Sequence, residues 1–250
     1  MILFVGCSYT WGSGLQYEYL HNERGWSIDK INQHLPIDFN LENLDYESDE
    51  YRKQHGFPNL VAKELNKSYV IGTYGNGGSN CTTIDNCLNY SHKALRAHSV
   101  STIVVQFSDW LRDCGDVDIQ KYPGDKTEIT TQDYIDNEIT KQINRINNLC
   151  NSLIDTQDSN FKEKNSFIHN YPKWVGLSWR SDLGKILKKL YPENFIPIYH
   201  NGQEYDSFDY IYQQGLRLCD NMPGVKDTHL NSEGCKVIAN SIVRKLKTYE

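Results

Sequence analysis

Three side chains in this chain have the types that acyl-transfer chemistry requires: a serine near the start, and an acid and an imidazole near the end. Ser8 follows the apolar run Met1 to Val5, within Gly6-Cys7-Ser8-Tyr9-Thr10-Trp11-Gly12. A serine hydroxyl is a weak nucleophile until a base takes its proton and a third group orients that base. Lys226-Asp227-Thr228-His229-Leu230-Asn231 supplies an acid and a base two residues apart. Their chain order, Ser then Asp then His, is one that known triads use. The expected chemistry is covalent: Ser8 attacks a carbonyl carbon, His229 takes and returns the proton, and Asp227 holds the imidazole. A serine in a turn after a strand is, alone, more often a cap or turn former, so the expectation rests on the two ends read together.

Rival chemistries fare less well on the same residues. Cys7 adjoins Ser8, and a thiolate is intrinsically the better nucleophile. Adjacent side chains of an extended segment point to opposite sides, however, so Cys7 is expected to face the packed interior if Ser8 faces the site. Gly6 is followed by no Gly-Lys-Ser/Thr, and Gly75-x-Gly77 lacks a third glycine at the right distance, which argues against a nucleotide cradle. The Gly-x-Ser-x-Gly elbow is absent because Thr10 holds its last position. The seven cysteines are irregularly spaced. His21, His92 and His169 also lack metal-ligand spacing, so no metal or cofactor is expected and the thiols read as reduced.

Taken together, the two ends resemble the SGNH, or GDSL-type, hydrolase family, which carries its serine in an N-terminal Gly-Asp-Ser block and its Asp and His in a C-terminal block. The resemblance implies a flavodoxin-like SGNH fold and esterase activity, with Ser8, Asp227 and His229 in the catalytic roles. The family's glycine loop is similar to Tyr74-Gly75-Asn76-Gly77-Gly78-Ser79-Asn80, which implies that the Gly78 amide joins the Ser8 amide as an oxyanion donor. This chain departs from the family pattern at three places. Cys7 replaces the usual Asp beside the serine. Gln106-Phe107-Ser108-Asp109 occupies the place of a Gly-x-Asn-Asp block but lacks its Asn. One lost oxyanion donor typically costs about 2.7–4 kcal/mol of transition-state stabilisation, so either Ser108 or Asn80 substitutes or the enzyme is slow. Finally, Asp227 and His229 have one residue between them where the family has two, leaving Lys226 at the usual acid position; Asp109 is the substitute acid.

For such groups to meet, the chain must bring its start to its finish, and an alternating α/β pattern is expected to do so. The runs Met1–Val5, Ser68–Gly72, Ser101–Phe107 and Phe195–His200 read as four strands, with Pro197 placing the last near an edge. Helices are expected over 57–65, from Ser79 through Ile84 and Leu95, along the stripe Ile135, Ile139, Ile143, Ile146, Cys150, Leu153, over 183–190, and from Cys235 to Leu246 with Asn231 or Ser232 as cap. These elements predict a three-layer α/β/α open parallel sheet with ligand sites beyond the carboxyl ends of the strands. Polar stretches at about 16–55 and 112–130 read as insertions in a single domain spanning residues 1–250.

Composition narrows the partners. Net charge is −6, from 26 basic against 32 acidic residues, with no basic stripe for phosphates, so nucleic acid is not an expected partner. No apolar run reaches about 18 residues, and the N-terminal apolar segment is only a strand's length and lacks the basic start and cleavage region of a signal peptide, so no membrane partner is expected and the compartment reads as cytoplasmic. The expected substrate is a small-molecule or carbohydrate ester, with removal of acetyl groups from a sugar as one form. Two alternatives use the same residues: a glycan- or protein-binding module with degraded catalysis, and an O-acyltransferase that excludes water from the acyl-serine.

Overall fold

The computed structural model describes residues 1–34, 46–72, 84–85, 100–108, 132–155 and 173–249. In chain order its elements are β1 (Ile2–Val5), α1 (Ser8–Trp11), α2 (Leu15–Asn22), α3 (Ile28–His34), α4 (Tyr46–His55), α5 (Phe57–Glu64), β2 (Tyr69–Ile71), β3 (Thr102–Phe107), α6 (Gln132–Asp155), β4 (Lys173–Ser178), α7 (Ser181–Leu190), β5 (Ile198–His200), β6 (Gln203–Tyr205), α8 (Leu218–Asn221) and α9 (Ser232–Lys247). A short 3₁₀ turn, Tyr210–Gln214, precedes α8.

β1 to β4 form a parallel sheet in the order β2-β1-β3-β4. β1 is central, with Leu3 opposite Val70 on one side and Ile103 on the other. A strand paired on both edges and covered on both faces needs apolar side chains throughout, which Ile2-Leu3-Phe4-Val5 provides. The pleat sends successive side chains to opposite faces. Leu3, Val5, Ile103 and Val105 join Ile139, Ile143 and Ile146 of α6 and Leu183 and Leu187 of α7. Ile2, Phe4 and Val104 join Phe57 and Val61 of α5 and Ile238, Ala239 and Ile242 of α9. Helices therefore cover both faces, an arrangement compatible with a three-layer α/β fold.

The fourth strand differs from expectation. Lys173–Ser178 pairs with β3 along its whole length, although Pro172 before it and Gly176 within it mask it as a strand in the sequence. The segment expected as that strand divides at Pro197. Before it, the Gly176 and Ile196 amides bond to the Asn194 and Gly176 carbonyls, so the chain briefly pairs alongside β4. Pro197 has no N–H to continue the ladder. After it, β5 leaves to form an antiparallel hairpin with β6, closed at Asn201-Gly202 with φ of 48° and 77°. That is the backbone a two-residue hairpin of matching twist requires.

The stretch 16–55, expected as a polar insertion without a period, carries α2, α3 and α4 among its described residues. Polar contacts help to hold these helices: Glu18 on α2 accepts from Ser232, Asn32 on α3 donates to the Gly224 carbonyl and Arg52 on α4 donates to the Trp11 carbonyl. The second expected insertion, 112–130, lies outside the described residues, as does the helix expected from Ser79 except for Ile84 and Asp85.

Candidate active site

The turn after β1 delivers Ser8 to the carboxyl end of the sheet. Cys7 is extended and Ser8 opens the single helical turn α1, whose Thr10 and Trp11 amides bond back to the Cys7 carbonyl. Gly6 is glycine for want of space. A Cβ there would lie 2.1 Å from Thr10 Oγ1 and 2.8 Å from Gln106 Oε1. On its outer side α1 is held by Arg52, a buried guanidinium that packs 3.6 Å above the Trp11 ring and donates to the Trp11 carbonyl and to Asp49. Burial works against the Asp49 charge, but hydrogen bonds from Lys53 and Arg52 outweigh it and hold the carboxyl below its ordinary range.

His229 arrives from the other end of the chain, on the connection between α8 and α9. Its carbonyl accepts from the Leu218 amide, and the Asn231 amide donates to the Leu216 carbonyl. Asn231 is fully buried and acts three ways. Its Oδ1 caps α9 by accepting from the Gly234 amide at 2.8 Å, while its Nδ2 donates to the Gly215 and Arg217 carbonyls. Glu18, buried on α2, accepts from both the amide and the hydroxyl of Ser232 at 2.9 and 2.8 Å. A carboxylate is favoured at that helix start, so α2 and the first turn of α9 are tied together just behind His229. Gly14 lets the two segments close. Its φ is +96°, and a Cβ would meet Leu218 Cδ1 at 2.2 Å and His229 Cβ at 3.1 Å.

These supports bring the three candidate groups into one hydrogen-bonded line. Ser8 Oγ lies 2.8 Å from His229 Nε2, and His229 Nδ1 lies 2.6 Å from Asp227 Oδ1. A carboxylate can only accept, so Nδ1 carries the ring proton and Nε2 is left to accept from the Ser8 hydroxyl. The same Asp227 Oδ1 accepts the backbone amide of His229 at 2.7 Å. That is an Asx turn, in which an aspartate bonds to the amide two residues on. The one-residue gap between acid and base is therefore what lets a single carboxylate oxygen hold both the ring and its backbone. Lys226 is exposed; its amide donates to Asn32 Oδ1. Asp227 and His229 are 8% and 18% exposed at the side chain and Ser8 is 7% exposed, so the line is shielded yet touches solvent at the imidazole. Tyr9 forms its wall, with its ring 4.8 Å from the imidazole and 5.4 and 5.8 Å from the Phe208 and Trp179 rings.

The remaining candidates fall differently. Cys7 is buried, and its thiol points at Gln106 Oε1, 3.0 Å away. Ser108 follows β3 and is fully buried. Gly78, Asn80 and Asp109 lie outside the described residues. Gln106, although part of the block that holds Ser108, and Glu18 are not among the site residues that the sequence predicts. For Gln106 a signal exists, since it is the one strongly polar residue at the buried end of the run Thr102-Ile103-Val104-Val105-Gln106-Phe107. No family model, curated protein or solved structure matches this chain. Among the described residues no group of His, Cys, Asp and Glu could hold a metal ion, and no helix is long and apolar enough to cross a membrane.

Proposed function

We propose that this chain is a serine-dependent hydrolase of carboxylic esters, of the SGNH type on a flavodoxin-like scaffold, working through an acyl-serine intermediate. The observation that carries the reading is the line from Ser8 Oγ through His229 to Asp227, at 2.8 and 2.6 Å. In it, Oγ attacks the ester carbonyl carbon as its proton passes to Nε2. The carbonyl π electrons move onto oxygen, and the protonated imidazole is stabilised by Asp227. Collapse of the tetrahedral adduct breaks the bond to the alcohol, which leaves with the proton from Nε2. Water then attacks acyl-Ser8 by the same route, giving a carboxylic acid and free serine. The Ser8 amide, which has no acceptor among the described residues, is one donor for the oxyanion. Gly78, with Asn80 or Ser108, would supply the others on the strength of the family resemblance.

The expected substrate is a small ester, such as an acetylated carbohydrate. Turnover of p-nitrophenyl acetate and labelling by a fluorophosphonate probe test the reading together. Both are expected in the parent protein and lost in Ser8→Ala, with the label mapping to the peptide that contains Ser8; His229→Ala is expected to lose turnover. Equal background rates in all three proteins, with no label, would instead point to a binding module on the same scaffold. Label on Cys7 would reassign the nucleophile.

A further inference from the structure

We propose that Gln106 is a positioning residue for Ser8: its side-chain carbonyl is the shared acceptor that fixes the turn on which the nucleophile sits. This rests on the hydrolase reading above and adds to it a residue outside the Ser8–His229–Asp227 line. Gln106 is on β3, one step beyond the Val5–Val105 pair, where β1 has already begun to turn. It is 1% exposed. Its Oε1 accepts the Cys7 amide at 3.0 Å, the Cys7 thiol at 3.0 Å and the Thr10 hydroxyl at 3.2 Å. These donors stand on either side of Ser8 in sequence, so one oxygen pins the turn from both sides.

The orientation of the amide follows from its partners. A backbone N–H can only donate, so the Cys7 amide requires the oxygen end of Gln106 to face the turn. The nitrogen end faces away, and Nε2 is buried without a hydrogen-bond partner among the described residues. A buried unpartnered donor is a standing cost that an apolar side chain would avoid. Local rules of this kind are broken most often where function demands it. Gly6 makes the arrangement possible, because any Cβ would collide with both Thr10 Oγ1 and Gln106 Oε1. The network also spends the Cys7 thiol on Gln106, leaving the Ser8 hydroxyl as the group that meets His229.

The acceptor and the amide nitrogen are separable by mutation. Gln106→Leu removes the acceptor and is expected to lower kcat about a hundredfold with KM within about twofold, because a nucleophile displaced by roughly an ångström loses its reacting geometry. Gln106→Glu keeps an oxygen facing the turn and replaces only the unpartnered nitrogen, so it is expected to recover most of the lost kcat. Thr10→Val removes one of the donors and is expected to cost about threefold to tenfold, with Thr10→Ser restoring it. In the Gln106→Leu background Thr10→Val should add little, since its partner is already gone. The Thr10 arm also serves if Gln106→Leu does not fold. A second readout needs no turnover: the nitrogen NMR shift of His229 Nε2 in Gln106→Leu should move towards its value in Ser8→Ala, as the imidazole loses the hydroxyl in both. A parent protein with neither turnover nor label refutes the hydrolase reading, and the NMR comparison still decides the role of Gln106. Parent-like kcat and NMR shift in folded Gln106→Leu, or Gln106→Glu as impaired as Gln106→Leu, would overturn the proposal.

Discussion

A serine hydroxyl, an imidazole and a carboxylate differ from ordinary surface groups only in how they are held, and here one oxygen does much of the holding. Asp227 Oδ1 accepts both the ring Nδ1–H and the backbone N–H of His229, so it sets the tautomer and the main-chain conformation together. Asp227→Asn can preserve the Asx turn through its remaining oxygen but favours the wrong imidazole tautomer. Its kcat is expected to fall on the order of a thousandfold to ten-thousandfold with KM little changed, as steady-state kinetics would read. Lys226→Ala, which alters an exposed side chain, is expected to stay within about twofold of the parent, the scale of ordinary surface substitutions. A large loss in Lys226→Ala would return that position to the site.

At the scale of elements, the turn that carries Ser8 is held from beneath by β3 through Gln106 and from outside by α4 through Arg52. The α4 contact is electrostatic and therefore depends on pH. The Asp49 carboxyl is held below its unfolded value by Lys53 and Arg52. For a group depressed on folding, the stabilisation is complete above the unfolded value, near pH 4, and is lost as pH falls through the folded value. The stability difference between the parent and Asp49→Asn, measured by denaturant titration, is expected to be constant at neutral pH and to close on acidification below about pH 4. A gap that widened with acid would contradict this sign. None of this was legible in the polar stretch 16–55, because a charge pattern does not say which arginine will lie over which ring. The β5–β6 hairpin was legible, since Asn201-Gly202 is a strong two-residue turn signal, yet the apolar run before it drew the reading towards a sheet strand.

At the scale of the whole molecule, the site exists only because α9 closes over the face of the sheet that β1 helps to form. Ile238 and Ile242 are fully buried there with Phe4 and Phe57. Ile238→Ala leaves a cavity in that layer, and its unfolding free energy is expected to fall by about 2–5 kcal/mol with an unchanged denaturant slope. A loss below about 0.5 kcal/mol, the range of surface changes, would mean that the helix is not packed as described. Activity per folded molecule should largely survive, because His229 is held by Asn231, Glu18 and the Leu218 amide rather than by Ile238.

The sequence by itself determined what is periodic or local. The apolar run of β1, the β-branched run of β3, the long stripe of α6, a cap for α9 at Asn231 or Ser232 and the glycine-bounded serine all carry their reasons within a few residues of themselves. It also set the two ends apart as the places where chemistry could happen, since those residue types and their order are visible without coordinates. Only the tertiary structure decided that Ser8 and His229 meet, that Asp227 rather than Lys226 or a distant acid holds the imidazole, and that Gln106 and Glu18 support them. Those contacts join residues separated by up to 221 positions, as in the pair His229 and Ser8. Hydrogen bonds across such separations are fixed by how strands register and helices pack, and a one-dimensional pattern does not encode that distance.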